Sequence, residues 1–162
     1  MSNVRPESMA RITNFELANA FIEEQGYTWV LVDMPPSNFT LNNLCFRYIV
    51  NDVIIPMSSD MFSVEGYADI MDDMSKARET NPNLNVLGVY LSRYMTNCGL
   101  DKYIREQMME NFGNFIDVQI PLASDVRESV FFGRPISYYK VFSKSKAAYE
   151  SLVSEIENRI NA

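Results

Sequence analysis

The sequence contains no histidine, two cysteines and six glycines among its 162 residues. The absence of histidine excludes a Ser-His-Asp catalytic triad and a Cys/His zinc site within this chain. Cys45 and Cys98 form no CxxC pair, which favours two small, partly buried residues of a reduced protein. The glycines are scattered, so these residues contain no glycine-rich loop of the kind that wraps phosphates.

Long apolar runs are also missing, since no stretch approaches the roughly 20 apolar residues that cross a bilayer. Nothing resembles a signal peptide, and we therefore expect a soluble, cytoplasmic protein. The net charge of −7 argues against a uniformly basic nucleic-acid binder but leaves a local basic face open. The last predicted helix ends with Glu155, Glu157 and Arg159 and lacks a basic polar face, which disfavours a membrane anchor.

Hydrophobic residues make up 47% of the chain, which predicts one compact domain over residues 1–162 with a loose polar stretch at 1–12. Apolar periodicity predicts alternating helices and strands. The predicted helices cover residues 13–25, 38–48, 61–80, 100–112, 124–132 and 143–160, and the predicted strands 28–33, 52–57, 85–92 and 115–120. This alternation is typical of a three-layer α/β fold, with a mainly parallel sheet covered by helices on both faces.

The segment WVLVDMPPS, residues 29–37, joins an apolar run to an acid and two prolines. The run predicts a central strand of the parallel sheet, with Asp33 at its carboxyl end. Open α/β sheets bind ligands at that edge, so Asp33 is a candidate site residue. Alternatively, Asp33 caps the helix that follows, for which Ser37 and Asn38 are further candidates.

Several segments, in order along the chain, resemble the ParA/Soj family of plasmid and chromosome partition ATPases, within the MinD-like deviant Walker group. YTWVLVDMPPS (27–37) is similar to the family's Walker B strand with its D-x-P-P-S ending. LNNL (41–44) matches the T-x-N-A-L continuation, and DVIIPMSSDMFSVEGY (52–67) is similar to V-L-I-P-V…E-Y-F-A-L-E-G-L.

The resemblance continues through the second half of the chain. NPNLNVLGVYLSRY (81–94) matches N-P-x-L-x-I-L-G-V-L-x-T. IPLASDVRESVFFGRPI (120–136) follows I-P-R-N-V-R-L-S-E-A-P-S-H-G-K-P-V in length, and SKSKAAYESLVSEI (143–156) follows S-K-G-A-x-A-Y-x-x-L-A-x-E-I. Each piece alone is ordinary α/β sequence, whereas their shared order and spacing is specific.

The resemblance implies a P-loop NTPase-like fold of the SIMIBI type. For the complete protein it implies ATP hydrolysis, ATP-dependent dimerisation and non-specific DNA binding in plasmid or chromosome partitioning. ATP and magnesium would be the cofactors, and DNA, a ParB-like protein and a second copy of the chain the partners. Asp33 would be the Walker B acid, bonded to a magnesium-bound water, with no direct metal ligand in this chain. The implied location is the nucleoid.

The family's phosphate-binding motif, K-G-G-x-G-K-S/T, does not occur in the chain. We therefore expect this chain alone to bind Mg-ATP negligibly and to be inactive as an ATPase. In the family the P-loop strand pairs beside the Walker B strand, so the sheet is expected to lack its N-terminal P-loop strand.

Two explanations of the missing motif stay open. The chain is the C-terminal part of a ParA-type ATPase, or it is a non-catalytic ParA-like interaction or regulatory module. For the sheet, either the chain is a fragment of a longer protein or another element, such as a second copy of the chain, fills the missing strand position. A flavodoxin- or Rossmann-like binder is disfavoured because no glycine-rich first βα turn is present.

Three further residues are candidates for nucleotide contacts because of the resemblance. Arg93 ends the third predicted strand, where family members reach toward the base. Pro121 and Glu128 are retained in the segment that, in the family, lies near the adenine and the dimer interface. Leu122 and Asp125 stand where that segment carries arginines, which weakens the transfer of nucleotide contacts.

Residues 129–149 contain no acid, although the chain as a whole is acidic. The resemblance implies DNA-phosphate contacts from the basic residues near this end of the chain. The alternative is an ordinary solvated surface around a packed pair of tyrosines, Tyr138 and Tyr139. The basic residues of the stretch are Arg134, Lys140, Lys144 and Lys146.

Overall fold

The computed structural model describes the backbone of residues 6–35 and 39–162, and the side chains of residues 14–35, 40–60 and 65–162. Its sheet has three parallel strands in the order β1–β2–β3: β1 (Asp52–Met57), β2 (Asn85–Tyr94) and β3 (Phe115–Pro121). The helices are α1 (Pro6–Gln25), α2 (Phe39–Tyr48), α3 (Met61–Ala77), α4 (Gly99–Asn111), α5 (Ser124–Phe131), α6 (Ile136–Tyr139) and α7 (Lys144–Ile160). The α/β class and the parallel pairing predicted from the sequence are confirmed.

The predicted segment boundaries agree closely with the structure from residue 52 onward. The three strands predicted there correspond to β1, β2 and β3, and α3, α4, α5 and α7 each lie within a few residues of their prediction. At the amino end, α1 begins at Pro6, earlier than the predicted start at residue 13. The short helix α6 was not predicted. The capping roles of Ser37 and Asn38 lie outside the described residues.

The strand predicted at residues 28–33 is wrong for this chain. After α1 the backbone runs from Gly26 to Pro35 without regular secondary structure, and the apolar side chains from Tyr27 to Val32 are exposed. Trp29 is 50% and Leu31 89% exposed. A parallel strand obtains its hydrogen bonds only from neighbouring strands, and within the described residues the sheet consists of β1, β2 and β3 alone.

The described residues divide into two compact units. The first contains α1, α2 and residues 69–85, with a core of Cys45, Phe46, Met74, Ala77 and Leu84. The Asn81 side chain donates hydrogen bonds to the carbonyl oxygens of Phe46 (2.9 Å) and Val50 (2.7 Å). These bonds attach the turn after α3 to the carboxyl end of α2.

The second unit contains β1 from Val53, β2, β3 and the helices that follow. Helix α7 packs on β3 through Ile116, Ile120 and Leu152. It begins at Ser143, whose hydroxyl accepts hydrogen bonds from the backbone N–H groups of Ser145 and Lys146. Near its end, Arg159 donates to the carbonyl oxygens of Leu87 (3.0 Å), Asn114 (2.8 Å) and Phe115 (2.9 Å). The helix is therefore fixed at both ends within this unit.

Candidate functional site

The carboxyl ends of the three strands meet at one edge of the sheet, in the second unit. The Ser92 hydroxyl donates to the carbonyl oxygen of Met57 at 3.3 Å and so joins the ends of β2 and β1. The Leu122 N–H donates to the carbonyl oxygen of Tyr94 at 3.0 Å and joins the ends of β3 and β2. Parallel α/β sheets bind their ligands at this edge, which makes it a candidate site by position.

Arg93 lies on this edge with an unusual backbone. Its φ angle of 57° places it in the left-handed region, and its side chain is exposed. The pairing of β2 with β3 is irregular at this point, between Leu91 and Tyr94. A non-glycine residue in this conformation stores strain, and such residues concentrate at functional sites. The structure thus gives Arg93 a distinctive position, without identifying a ligand.

The loop after β2 is organised by a buried acid that the sequence analysis did not single out. Asp101 in the first turn of α4 is 3% exposed and accepts a hydrogen bond from the Met95 N–H at 2.6 Å. This bond ties the loop to the start of α4, directly after Arg93 and Tyr94. An aspartate in the first turn of a predicted helix was the available sequence signal.

A second buried acid, Asp125, joins the start of α5 to the start of α7. Its carboxylate accepts hydrogen bonds from the hydroxyls of Ser143 and Ser145 and from the Val126 N–H. Burial raises the pKa of Asp125, but these hydrogen bonds outweigh burial and hold the pKa below its ordinary value. Sequence reasoning treated Asp125 only as a replaced family arginine, whereas the structure shows it in a local hydrogen-bond network.

Pro121 and Glu128, the other two candidate nucleotide contacts, lie on different elements of the structure. Pro121 is the last residue of β3 and lies at the sheet edge. Glu128 lies on α5, where its carboxylate accepts a hydrogen bond from the Tyr139 hydroxyl at 3.0 Å. Partial burial and this bond to Glu128 raise the pKa of Tyr139. Glu128 therefore has a structural partner on α6.

The basic residues of the carboxyl-terminal stretch lie on α7 and on the loops before and after α6. Arg134 follows the left-handed Gly133, and Lys140 ends α6. Lys144 is the first residue of α7 and is exposed, whereas Lys146 is half-buried, with its ammonium nitrogen 3.7 Å from Glu150. Three of the four cations thus project from an exposed surface, and the fourth is balanced by an acid.

Asp33 is in the first unit, in the irregular segment that follows α1. It is exposed, and the segment ends at Pro35, whose carbonyl oxygen accepts a hydrogen bond from Asn42 at 3.1 Å. Among the side chains of residues 14–35, 40–60 and 65–162, no cluster of three metal-binding groups occurs. The described side chains therefore do not assemble a metal site around Asp33.

No family model matches the chain, but comparison with individual proteins finds similarity to chromosome-partitioning proteins. It is 31% identical over 137 residues to the chromosome partitioning protein ParA of Caulobacter vibrioides, covering 82% of this chain and 50% of that protein. It is 28% identical over 143 residues to the chromosome-partitioning ATPase Soj of Thermus thermophilus, covering 86% and 56%. An uncharacterised Pseudomonas putida protein is 33% identical over 138 residues, covering 82% and 51%. The chain spans about half the length of these curated relatives.

None of the helices built from the described residues is long and apolar enough to cross a membrane.

Proposed function

The chain is a ParA/Soj-like protein by sequence homology, and from that premise we propose that it is the carboxyl-terminal part of a partition ATPase. The complete protein would bind Mg-ATP, dimerise on ATP and bind DNA without sequence specificity to segregate a chromosome or plasmid. The observation that carries the proposal is the similarity to ParA and Soj over more than four-fifths of the chain. The parallel α/β sheet is consistent with it.

The residues present do not fit a complete Mg-ATP site. The glycines that could approach phosphates are dispersed at positions 26, 66, 88, 99, 113 and 133, and Asp33 lies in an exposed irregular segment. We therefore assign nucleotide binding to the complete protein and derive no catalytic step in this chain. There Asp33 would act as the Walker B carboxylate, and Arg93 and Pro121, at the sheet edge, with Glu128 on α5, would lie toward the nucleotide.

A titration with a fluorescent ATP analogue and magnesium tests this assignment. We expect no saturable binding by the isolated chain, because backbone N–H groups of a phosphate loop supply most of the phosphate contacts. The fluorescence of the analogue should show no saturable change with Asp33→Ala either. Asp69→Ala, at another exposed acid, serves as the control. Saturable binding that disappears in Asp33→Ala alone would mean that the chain builds a nucleotide site by itself.

We assign non-specific DNA binding to Arg134, Lys140, Lys144 and Lys146. What supports it is the absence of acid from residues 129–149 in a chain of net charge −7, together with the exposure of the first three. Binding through phosphates weakens as salt rises, because condensed counterions are released. This contact would place the protein on the nucleoid.

Fluorescence anisotropy with a labelled random duplex tests the DNA assignment. We expect weak binding whose salt dependence becomes shallower in Lys140→Ala and Lys144→Ala, by about one unit of logarithmic slope per lost phosphate contact. Lys102→Ala, an exposed lysine on α4, should not change the slope. Equal slopes for all three variants would remove the basic stretch from the interface.

The second candidate function is a non-catalytic ParA-like module that regulates a full-length ATPase or its ParB-like partner. The poor fit to a nucleotide site favours it. Its test is the ATP turnover of a full-length ParA measured with increasing amounts of this chain. A saturable change in turnover supports the module, and an unchanged rate counts against it.

A further inference from the structure

The segment from α5 to α7 exposes large aromatic side chains to solvent. Phe131, Tyr138 and Phe142 are 84%, 81% and 97% exposed, and Phe132 is also exposed. We refer to these four residues as the aromatic patch. A single exposed ring is ordinary, but four of them within residues 131–142, in a stretch that contains no acid, favour a ligand that contacts aromatic side chains.

Part of the patch rests on an ordered base. The Phe132 ring stacks on Tyr139 with a centroid distance of 5.8 Å and an interplanar angle of 16°. Phe131 meets Phe132 edge-on at 5.2 Å. Tyr139 is held in turn by its hydrogen bond to Glu128. The two phenylalanines are therefore presented by a fixed arrangement of α5 and α6.

Cations accompany the rings. Arg134 and Lys140 lie between the aromatic residues in the sequence, and both are exposed. A shallow depression of about 370 Å³ is bordered by Phe142, Lys144 and Lys146. A flat ring and two ammonium-bearing side chains thus line the same depression, whose rim also includes Glu150.

Duplex DNA explains the cations but not the rings, because its bases are stacked inside the helix and present no face to an exposed phenylalanine. An unpaired strand offers both phosphates for the lysines and base faces for the rings. We propose that the aromatic patch and its neighbouring cations bind single-stranded nucleic acid, with unpaired bases stacking on Phe131 and Phe142. This inference rests on the proposed DNA-binding role of the same stretch and adds a preference for unpaired strands.

The patch is also a departure from the motif that the chain resembles. Val130, Phe131 and Phe132 stand where the segment I-P-R-N-V-R-L-S-E-A-P-S-H-G-K-P-V carries proline, serine and histidine. The exposed rings of α5 are therefore a property of this chain, which makes a chain-specific ligand the consistent interpretation.

The test compares fluorescein-labelled oligo(dT) of about 20 nucleotides with a duplex of the same length at equal salt. We expect oligo(dT) to bind about tenfold more tightly. Phe142→Ala and Phe131→Ala should each weaken oligo(dT) binding by about fivefold or more while leaving duplex affinity unchanged. Tyr103→Ala removes an exposed ring from α4 and should change neither. Circular dichroism of each variant verifies that it is folded.

A spectroscopic variant detects stacking directly. Trp29 is the only tryptophan, so the double variant Trp29→Phe, Phe142→Trp reports on position 142 alone. We expect its fluorescence to be quenched by oligo(dT) and unaffected by the duplex, because stacked bases quench indole emission. A purely structural role of Phe142 would produce no such quenching.

The outcomes separate this inference from the proposed function. Equal affinities for oligo(dT) and duplex, insensitive to Phe131→Ala and Phe142→Ala, would overturn the single-strand preference and leave general DNA binding intact. No binding to either would overturn both. Phe142-dependent binding to anionic vesicles, or Phe142-dependent self-association, without oligo(dT) binding would assign the patch to a membrane or to a second copy instead.

Discussion

At the scale of single residues, two buried acids accept hydrogen bonds that order loops, a role that the sequence analysis did not predict. Asp101 and Asp125 are both largely buried, and each accepts a backbone N–H that begins or orders a connection between elements. A buried carboxylate is tolerated only when hydrogen bonds replace its lost hydration. Both acids therefore stabilise loop conformations in the second unit through their hydrogen bonds.

Replacement of Asp125 by asparagine tests the network that joins α5 to α7. We expect Asp125→Asn to lower the free energy of unfolding by about 1–3 kcal/mol, because Ser143 and Ser145 lose a charged acceptor. Urea unfolding followed by circular dichroism measures the change. Asp69→Asn, at an exposed acid, should change stability little, and an equal loss in both variants would contradict the prediction.

The same residue predicts a pH dependence. Hydrogen bonds hold the pKa of folded Asp125 below its ordinary value of 3.8. The stabilisation is therefore complete above the unfolded pKa and disappears as the pH falls through the folded pKa. The stability difference between the native chain and Asp125→Asn should be largest near neutral pH and should shrink below about pH 4. A difference that grows on acidification would rule out this origin.

At the scale of elements, the second unit depends on how closely β2, β3 and α7 approach one another. A Cβ atom on Gly88 would collide with the Ile116 side chain, with Cγ1 at 2.7 Å, and would come within 3.3 Å of Nη1 of Arg159. Ile116 is fully buried, so it has little space to move. A glycine inside β2 thus permits the packing of the two strands beneath α7.

We expect Gly88→Ala to destabilise the protein by about 1–3 kcal/mol, through overpacking rather than through backbone strain. The double variant with Ile116→Val removes the Cδ1 atom nearest to the added methyl group. It should therefore lose less stability than the sum of the two single variants. Gly113→Ala, where an added Cβ meets nothing within 4 Å, is the control for thermal unfolding.

Arg159 provides the other connection between α7 and the sheet. Arg159→Met removes hydrogen bonds to three backbone carbonyl oxygens in and beside β2 and β3, and we expect a loss of about 2–3 kcal/mol in the free energy of unfolding. Arg127→Met, at an exposed arginine on α5, controls for the loss of positive charge. A loss no larger than that of the control would mean that the carbonyl contacts contribute little to stability.

At the scale of the whole molecule, the apolar segment before Asp33 remains uncovered. Trp29, Val30, Leu31 and Val32 have the composition of a central strand but are exposed in the described chain. Such a run can be buried only when a neighbouring strand accepts it. The proposed complete partition protein would supply that neighbour.

Trp29 reports this exposure, because it is the only tryptophan of the chain. We expect its emission to be that of a solvent-exposed indole and to be readily quenched by acrylamide in dilute solution. Emission at short wavelength that resists quenching would show that the segment is covered. If that covering disappears on dilution, a second copy of the chain provides it.

The sequence by itself determined the family resemblance, the α/β class and, to within two residues, the bounds of β1, β2, β3 and α7. These features depend on local apolar periodicity and on turn residues, which are properties of each segment and do not require contacts with distant residues. The same local information predicted a strand at residues 28–33 and missed the roles of Asp101, Asp125 and Arg159.

Only the tertiary structure decided those remaining features, because each depends on a partner distant in the chain. A strand exists when another strand offers hydrogen bonds, and the described sheet offers none to residues 28–33. Arg159 meets the carbonyl oxygen of Leu87 across 72 positions, and Asp125 meets Ser145 across 20. Periodicity within a segment carries no information about such contacts, which is why the sequence predicted β1, β2, β3 and α7 but neither the surroundings of Asp33 nor the partners of Asp125 and Arg159.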